Sequence, residues 1–215
     1  LHIFMLHAPD FLGYESAIHM AKDFPEKVEQ GLQLKKVGGM LMSLVGGREI
    51  HPINIRVGGF YRASSKQELQ SIVPALKQAR DDALETVRWV ASFDFPDFEQ
   101  RYTFISLRHE NEYPMNEGQI VSNHGLNISA SEFDDYFEEI HVEHTNALHC
   151  VLKVNHSPYH VGPMARYALN FDRLPGFIQS EAKQAGLESV CRNPFKSIIV
   201  RAIEVLYACE EALRI

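Results

Sequence analysis

The chain has 215 residues, of which 28 are acidic and 21 basic, giving a formal charge of −7; hydrophobic residues make up 45% and charged residues 23%. This is the composition of a soluble globular protein, and the acid excess argues against nucleic acid as the partner, because phosphate contacts need clustered Lys and Arg. No apolar run reaches the roughly 18–20 residues needed to span a bilayer, and residues 1–24 carry no basic n-region of a signal peptide.

In chain order, residues 1–23 read as a helix through Ile3, Leu6, Ala17, Met20 and Ala21, bent or interrupted at Pro9 and Gly13. Pro25 suits the first turn of a second helix, which carries Val28, Leu32, Val37, Leu41 and Leu44 and stops at Gly46-Gly47. Residues 50–60 alternate Ile53, Ile55, Val57 as a buried strand would and end at Gly58-Gly59. Ser65-Lys66-Gln67-Glu68 is a capping box ahead of a long amphipathic helix to about Ser92, with Pro74 expected to kink it or to mark a later start. Residues 93–98 form an aromatic-rich turn and 102–107 a strand. A hairpin joins 120–122 to 126–128 through Asn123-His124-Gly125. A short acidic helix capped by Ser131 follows over 131–139, then an extended stretch over 141–154. Helices are expected over 161–170, over 175–185 closed by Gly186, and over 197–215. The fold class is therefore α+β, mainly helical, with long helices packed on short antiparallel strands.

Three cysteines, at 150, 191 and 209, form no CxxC pair, which points to free thiols in a reducing, cytoplasmic compartment. They also exclude a four-thiolate site made by this chain alone. His141, His144, His149, Cys150, His156 and His160 are dense enough to suggest a metal, but their spacing fits neither one helix face nor one strand face. Gly46, Gly47, Arg48, His51, Pro52, Arg56, Gly58 and Gly59 form two glycine pairs around a short strand, without the pattern of a phosphate loop. Arg166 is a lone cation at the start of an apolar helix. No nucleophile elbow and no Ser–His–Asp order is present, so spacing alone yields no mechanism.

Four strings taken together resemble the large (alpha) subunit of nickel–iron hydrogenases, most closely the cytoplasmic NAD(P)-linked and sulfhydrogenase-like members. They are LHIFMLHAPDFLGY at 1–14, VGGREIHPINIRVGGF at 45–60, GPMARY at 162–167 and NPF at 193–195. The second is the most specific, and the strings occur in the family's order over essentially the whole chain. The resemblance implies the hydrogenase large-subunit fold and, for the parent protein, reversible oxidation of dihydrogen to protons and electrons passed to NAD(P) or a similar soluble carrier. It implies a nickel–iron centre held by two CxxC motifs, and partners in an iron–sulfur small subunit and diaphorase-type electron-transfer subunits. Leu6 matches a position that lines the gas route in family members. In isolation it reads as a core leucine.

This chain departs from the pattern in having neither CxxC motif. Soft thiolates are what nickel and iron need, so no catalytic residue, metal ligand or cofactor is expected within these 215 residues. The expectation is a single-domain segment, 1–215, from the middle of a longer subunit, truncated at both ends and inactive alone. Its apolar faces would meet the missing parts and the partners, or would drive self-association. The competing readings are a metal-free large subunit of the respiratory complex I type that builds a quinone site, a non-catalytic scaffold or assembly module, and a zinc protein using the cluster from His141 to His160.

Overall fold

The computed structural model describes residues 1–215, which divide into two compact units: Leu1–Asp94 with Ala202–Ile215, and Phe95–Arg201. The first unit opens on a π-helical turn, His2–His7, that runs into α1, Ala8–Leu12. Gly13 takes φ 77° and ends it, so the expected helix over 1–23 is three pieces. The third is α2, Ala17–Met20, capped by Ser16. α3 runs Pro25–Gly46 and stops where glycine was expected to stop it, with Gly47 left-handed at φ 88°. A two-residue hairpin follows, β1, Ile55–Arg56, and β2, Gly59–Phe60. α4, Lys66–Ala91, starts at the capping box and runs on through Pro74. α8, Ser197–Arg214, begins in the second unit and continues in the first.

Trp89, the only tryptophan, organises the first unit. Phe4 stacks on it at 5.5 Å between ring centres, Phe93 meets it edge-on at 5.1 Å, and Lys27 sits 5.7 Å above its face. The π turn, α3 and α4 thus share one aromatic contact. Phe4 is buried because α3 offers glycine beneath it: a Cβ on Gly31 would lie 2.6 Å from the Phe4 ring. The apolar residues expected along α3 are less covered than an amphipathic core helix requires. Leu32 is exposed and Val28, Val37, Leu41 and Leu44 are half-buried; Met40 and Met42 are exposed as well, and only Gly31 and Gly46 of this helix are buried.

In the second unit, β3, Ile105–Arg108, β4, Gln119–Ser122, and β5, Asn127–Ile128, form an antiparallel sheet. Ile105 pairs with Ser122, Ile120 with Ile128, and Gly125 makes the hairpin turn at φ 90°. The acidic helix is shorter than the sequence suggests. Ser129, not Ser131, makes the capping box with Glu132, and α5 covers only Phe133–Tyr136. The chain then straightens into β6, Phe137–Ile140, paired with β7, His149–Leu152. Phe137 is the reason, since its buried ring joins Ile105 and Ile128 in one core, with Ile120, Leu126, Leu152 and Tyr159 packed around them. α6, Pro163–Asn170, is tied to β3 by polar bonds. The fully buried Asn170 carboxamide donates to Leu107 O at 3.0 Å, and Arg108 binds both carboxylate oxygens of Asp172 at 2.8 and 3.0 Å. α7, Gly176–Gln184, ends at Ala185 and a left-handed Gly186 (φ 75°). The observed architecture is the mainly helical α+β arrangement expected.

Gly31→Ala should destabilise the protein by about 1–2 kcal/mol, since overpacking at Phe4 outweighs the gain in helix propensity. Denaturant unfolding followed by Trp89 fluorescence measures it. Unchanged stability and an unchanged emission maximum would show that Phe4 can move aside freely.

Candidate functional site

The most specific string folds into the connection between α3 and α4. Gly46 is buried against Pro52, where a Cβ would come within 3.0 Å of the Pro52 ring, and its carbonyl accepts from both Ile53 N (2.9 Å) and Asn54 N (3.0 Å). Arg48 Nε donates to His51 O at 2.5 Å, and His51 itself is left-handed at φ 52°. The chain therefore folds back on the end of α3 over residues 47–54.

Asn54 closes this turn. Its Nδ2 donates to Val45 O (2.8 Å) and Arg62 O (2.6 Å), its Oδ1 accepts from Arg62 N (2.9 Å), and its backbone carbonyl accepts from Tyr61 N (2.9 Å). One half-buried carboxamide thus joins the exit of α3 to the entry of α4. Ser64 Oγ adds a bond to Leu44 O at 3.0 Å. Arg62 continues the chain of contacts into the capping box, with Nη1 at 3.0 Å from each Glu68 oxygen. The Ser65 backbone N–H, the Arg62 guanidinium and the Ser65 hydroxyl hold the Glu68 carboxyl down at about 2.

The expected strand over 50–60 is therefore mostly absent. Backbone groups that would pair in a ladder are taken by Gly46 O and by Asn54, which leaves only Ile55 opposite Phe60 and Arg56 opposite Gly59. Nor is it buried. Ile53, Ile55 and Val57 are 61%, 56% and 104% exposed, and Ile50, Phe60 and Tyr61 are also in solvent. Arg56 lies over the Tyr61 ring at 5.7 Å. Of the residues singled out from sequence, Gly46, Gly47, Arg48, His51 and Pro52 meet in the turn, while Arg56, Gly58 and Gly59 form the hairpin tip. Asn54, Arg62 and Ser64 were missed. An Asn inside an apolar alternation is the signal that was there to find, because Asn is poor in strands and its side chain imitates backbone. The result is a braced loop presenting an apolar and cationic outer surface.

The other singled-out residues lie apart from this loop. Leu6 is 56% exposed on the π turn, so it is not a core leucine in this structure. Arg166 is half-buried on α6 and borders a 230 Å³ cavity in the second unit with Phe137, Tyr159 and Gly162. The histidines of 141–160 separate into different roles. His144 and His149 are exposed with ring centres 5.9 Å apart, His156 pairs with Glu138 at 3.3 Å, and His160 packs on Tyr102 at 4.7 Å. Burial, with Arg201 nearby, pushes the His160 pKa down.

The thiols do not suit a thiolate-held metal pair. Cys191 is buried and donates to Asn193 O (3.4 Å), and burial raises its pKa. Burial likewise pushes Cys209 up to about 11. Metal binding calls for the opposite shift, toward thiolate. Cys150 stands in β7 opposite Glu139, and no three His, Cys, Asp or Glu side chains converge as a metal cage. The residues present do not fit a nickel–iron centre.

No protein-family model matches the chain. Curated relatives do. The alpha subunit of sulfhydrogenase 1 from Pyrococcus furiosus is 29% identical over 217 residues, covering 99% of this chain and 50% of that subunit. The alpha subunit of sulfhydrogenase 2 from the same organism is 30% identical over 210 residues, covering 98% of this chain and 48% of that one. Among solved structures, an NAD+-reducing nickel–iron hydrogenase in its hydrogen-reduced state superposes with a TM-score of 0.83 at 20% identity, over 99% of this chain and 53% of that one. That likeness shows the fold. The resemblance drawn from the four strings is borne out: the relatives are hydrogenase alpha subunits, and the chain spans about half the length of those it matches.

Two outcomes test the braced loop. Asn54→Ala removes three side-chain hydrogen bonds and should cost about 2 kcal/mol, with faster hydrogen exchange at the Arg62 amide. Unaltered exchange there would show that Asn54 is not the closing residue. The Glu68 pKa is depressed, so its contribution is present above the ordinary carboxylate range and is lost as pH falls toward about 2. Urea midpoints between pH 5 and pH 2 should fall more steeply for the natural sequence than for Glu68→Gln; parallel curves would remove Glu68 from this role.

Proposed function

We propose that this chain is a section of the large subunit of a nickel–iron hydrogenase that catalyses reversible oxidation of dihydrogen, with electrons passing to NAD(P) or a similar soluble carrier in the cytoplasm. The observation that carries the reading is continuous similarity to two sulfhydrogenase alpha subunits over 98–99% of the chain. In this reading residues 1–215 are scaffold. The nickel and iron ligands come from polypeptide outside them, since the three thiols here are scattered and burial raises the pKa of two of them, Cys191 and Cys209. Leu6, exposed on the π turn, would face the passage for gas, and the hairpin around Val57 would be covered by protein in the assembly. The partners would be an iron–sulfur small subunit and diaphorase-type subunits. Large exposed apolar side chains on a braced loop support a partner surface. No helix is long and apolar enough to cross a membrane.

Elemental analysis and a dye-coupled hydrogen-uptake assay test the proposal on two samples. The 215-residue chain alone should retain no nickel after treatment with a chelator and show no uptake. The polypeptide at the length of its relatives, matured and joined to an iron–sulfur partner, should show both. Nickel with activity in the short chain would overturn the scaffold role, and absence of both from the full assembly would overturn the hydrogenase reading.

A further inference from the structure

The histidine-rich connection between β6 and β7 is unused by the reading above and stands independently of it. His149 is fixed on β7 by its ladder position opposite Ile140. His144 reaches back across the loop, so that the two rings lie 5.9 Å apart between centres at 78° to each other. Both residues are exposed. The loop that carries His144 is itself pinned, with Thr145 N bonded to Val142 O (3.3 Å) and Ala147 N bonded to Thr145 Oγ1 (3.1 Å).

The separation is close to what one ion needs. Two imidazoles on a tetrahedral ion, each with its nitrogen at about 2.1 Å, place their ring centres about 5 Å apart. Closing the observed gap takes less than about 1 Å of side-chain rotation in an exposed loop. The segment that carries the pair is acidic in sequence, since residues 131–149 hold six carboxylates and no Lys or Arg, and Lys153 is the cation bonded to it, at Asp134 O. No third protein ligand converges on the pair, so the remaining positions would belong to water.

We propose that His144 and His149 form an open two-imidazole site for a divalent cation of borderline softness, the zinc, nickel and copper class. The site is solvent-facing and exchangeable, unlike a closed structural site with four protein ligands. Its chemistry is capture of a free or loosely chelated ion.

The test is calorimetric titration of the full natural polypeptide with Zn²⁺, comparing it with His144→Asn, His149→Asn and a His124→Asn control. Each of the first two should weaken the site by at least about tenfold, as loss of a direct ligand exceeds the cost of losing an outer-shell partner. The control should leave it unchanged. Because both side chains are exposed, folding is not at stake, and a second readout is independent of heat. Saturating Zn²⁺ should protect His144 and His149 from diethylpyrocarbonate, mapped by mass spectrometry, while His124 stays reactive. Zn²⁺ binding by the double variant as strong as by the natural chain, or protection falling on other histidines, would overturn the proposal.

Discussion

The Asn54 carboxamide is the constraint on which the distinctive part of this structure depends. A long helix that ends in Gly46-Gly47 leaves carbonyls without intrahelical partners. Two of these, on Val45 and Gly46, are satisfied by Asn54 through its side chain and its backbone. The same side chain satisfies both backbone groups of Arg62. Three segments far apart in conformation are thereby held by one residue: a helix end, a left-handed turn and the approach to the next helix. Arg62 then hands the constraint on, because its guanidinium grips the carboxylate that caps α4. A loop braced at both ends can hold apolar side chains in water without collapsing onto its own scaffold. The exposed Val57 and its neighbours are what such a brace makes available.

The aromatic contact in the same unit obeys a related logic. Phe4 reaches Trp89 only because α3 is narrow at Gly31. Glycine weakens a helix interior by roughly 1 kcal/mol relative to alanine, and that cost is offset by close packing of two large rings. Gly46 does the same for Pro52 at the far end of α3. The helix therefore packs through its glycines while Leu32, Met40 and Met42 stay in solvent. Close approach at two glycines thus sets the packing of this helix more than full burial of its apolar side chains does.

What was legible in the sequence was whatever is decided locally. The capping box at Ser65, the stop at Gly47 and the left-handed Gly186 each follow from one residue's own conformational or bonding preference, and each stands where expected. What was not legible is decided by distant partners. The alternation of Ile53, Ile55 and Val57 looks like a buried strand, but the carbonyl of Gly46 and the amide of Asn54 take the bonds a ladder would need. Ser131 is a fair cap by type, yet Glu132 lies three residues from Ser129 and completes a box there. α5 ends early because the buried Phe137 belongs to the core of the sheet. Leu6 read as core because it fits an apolar stripe with Ile3, Ala17, Met20 and Ala21, but the π turn carries it to the outer side. The loop string was legible as a motif, and its working residue was not.

The thiols bring chemistry and architecture to the same conclusion. A cysteine that binds a soft metal must be deprotonated, which calls for cationic surroundings or a helix N-terminus. Here burial comes first for both Cys191 and Cys209 and drives the proton on rather than off. Near Cys209 the charged neighbours are Asp82 and Glu210, which add to that effect. Lys196 pulls the other way at Cys191, but less than burial does. These are sulfurs used as small apolar packing groups. In a chain similar throughout to hydrogenase alpha subunits, Cys191 and Cys209 are thus set by burial against the thiolate form that a soft metal requires.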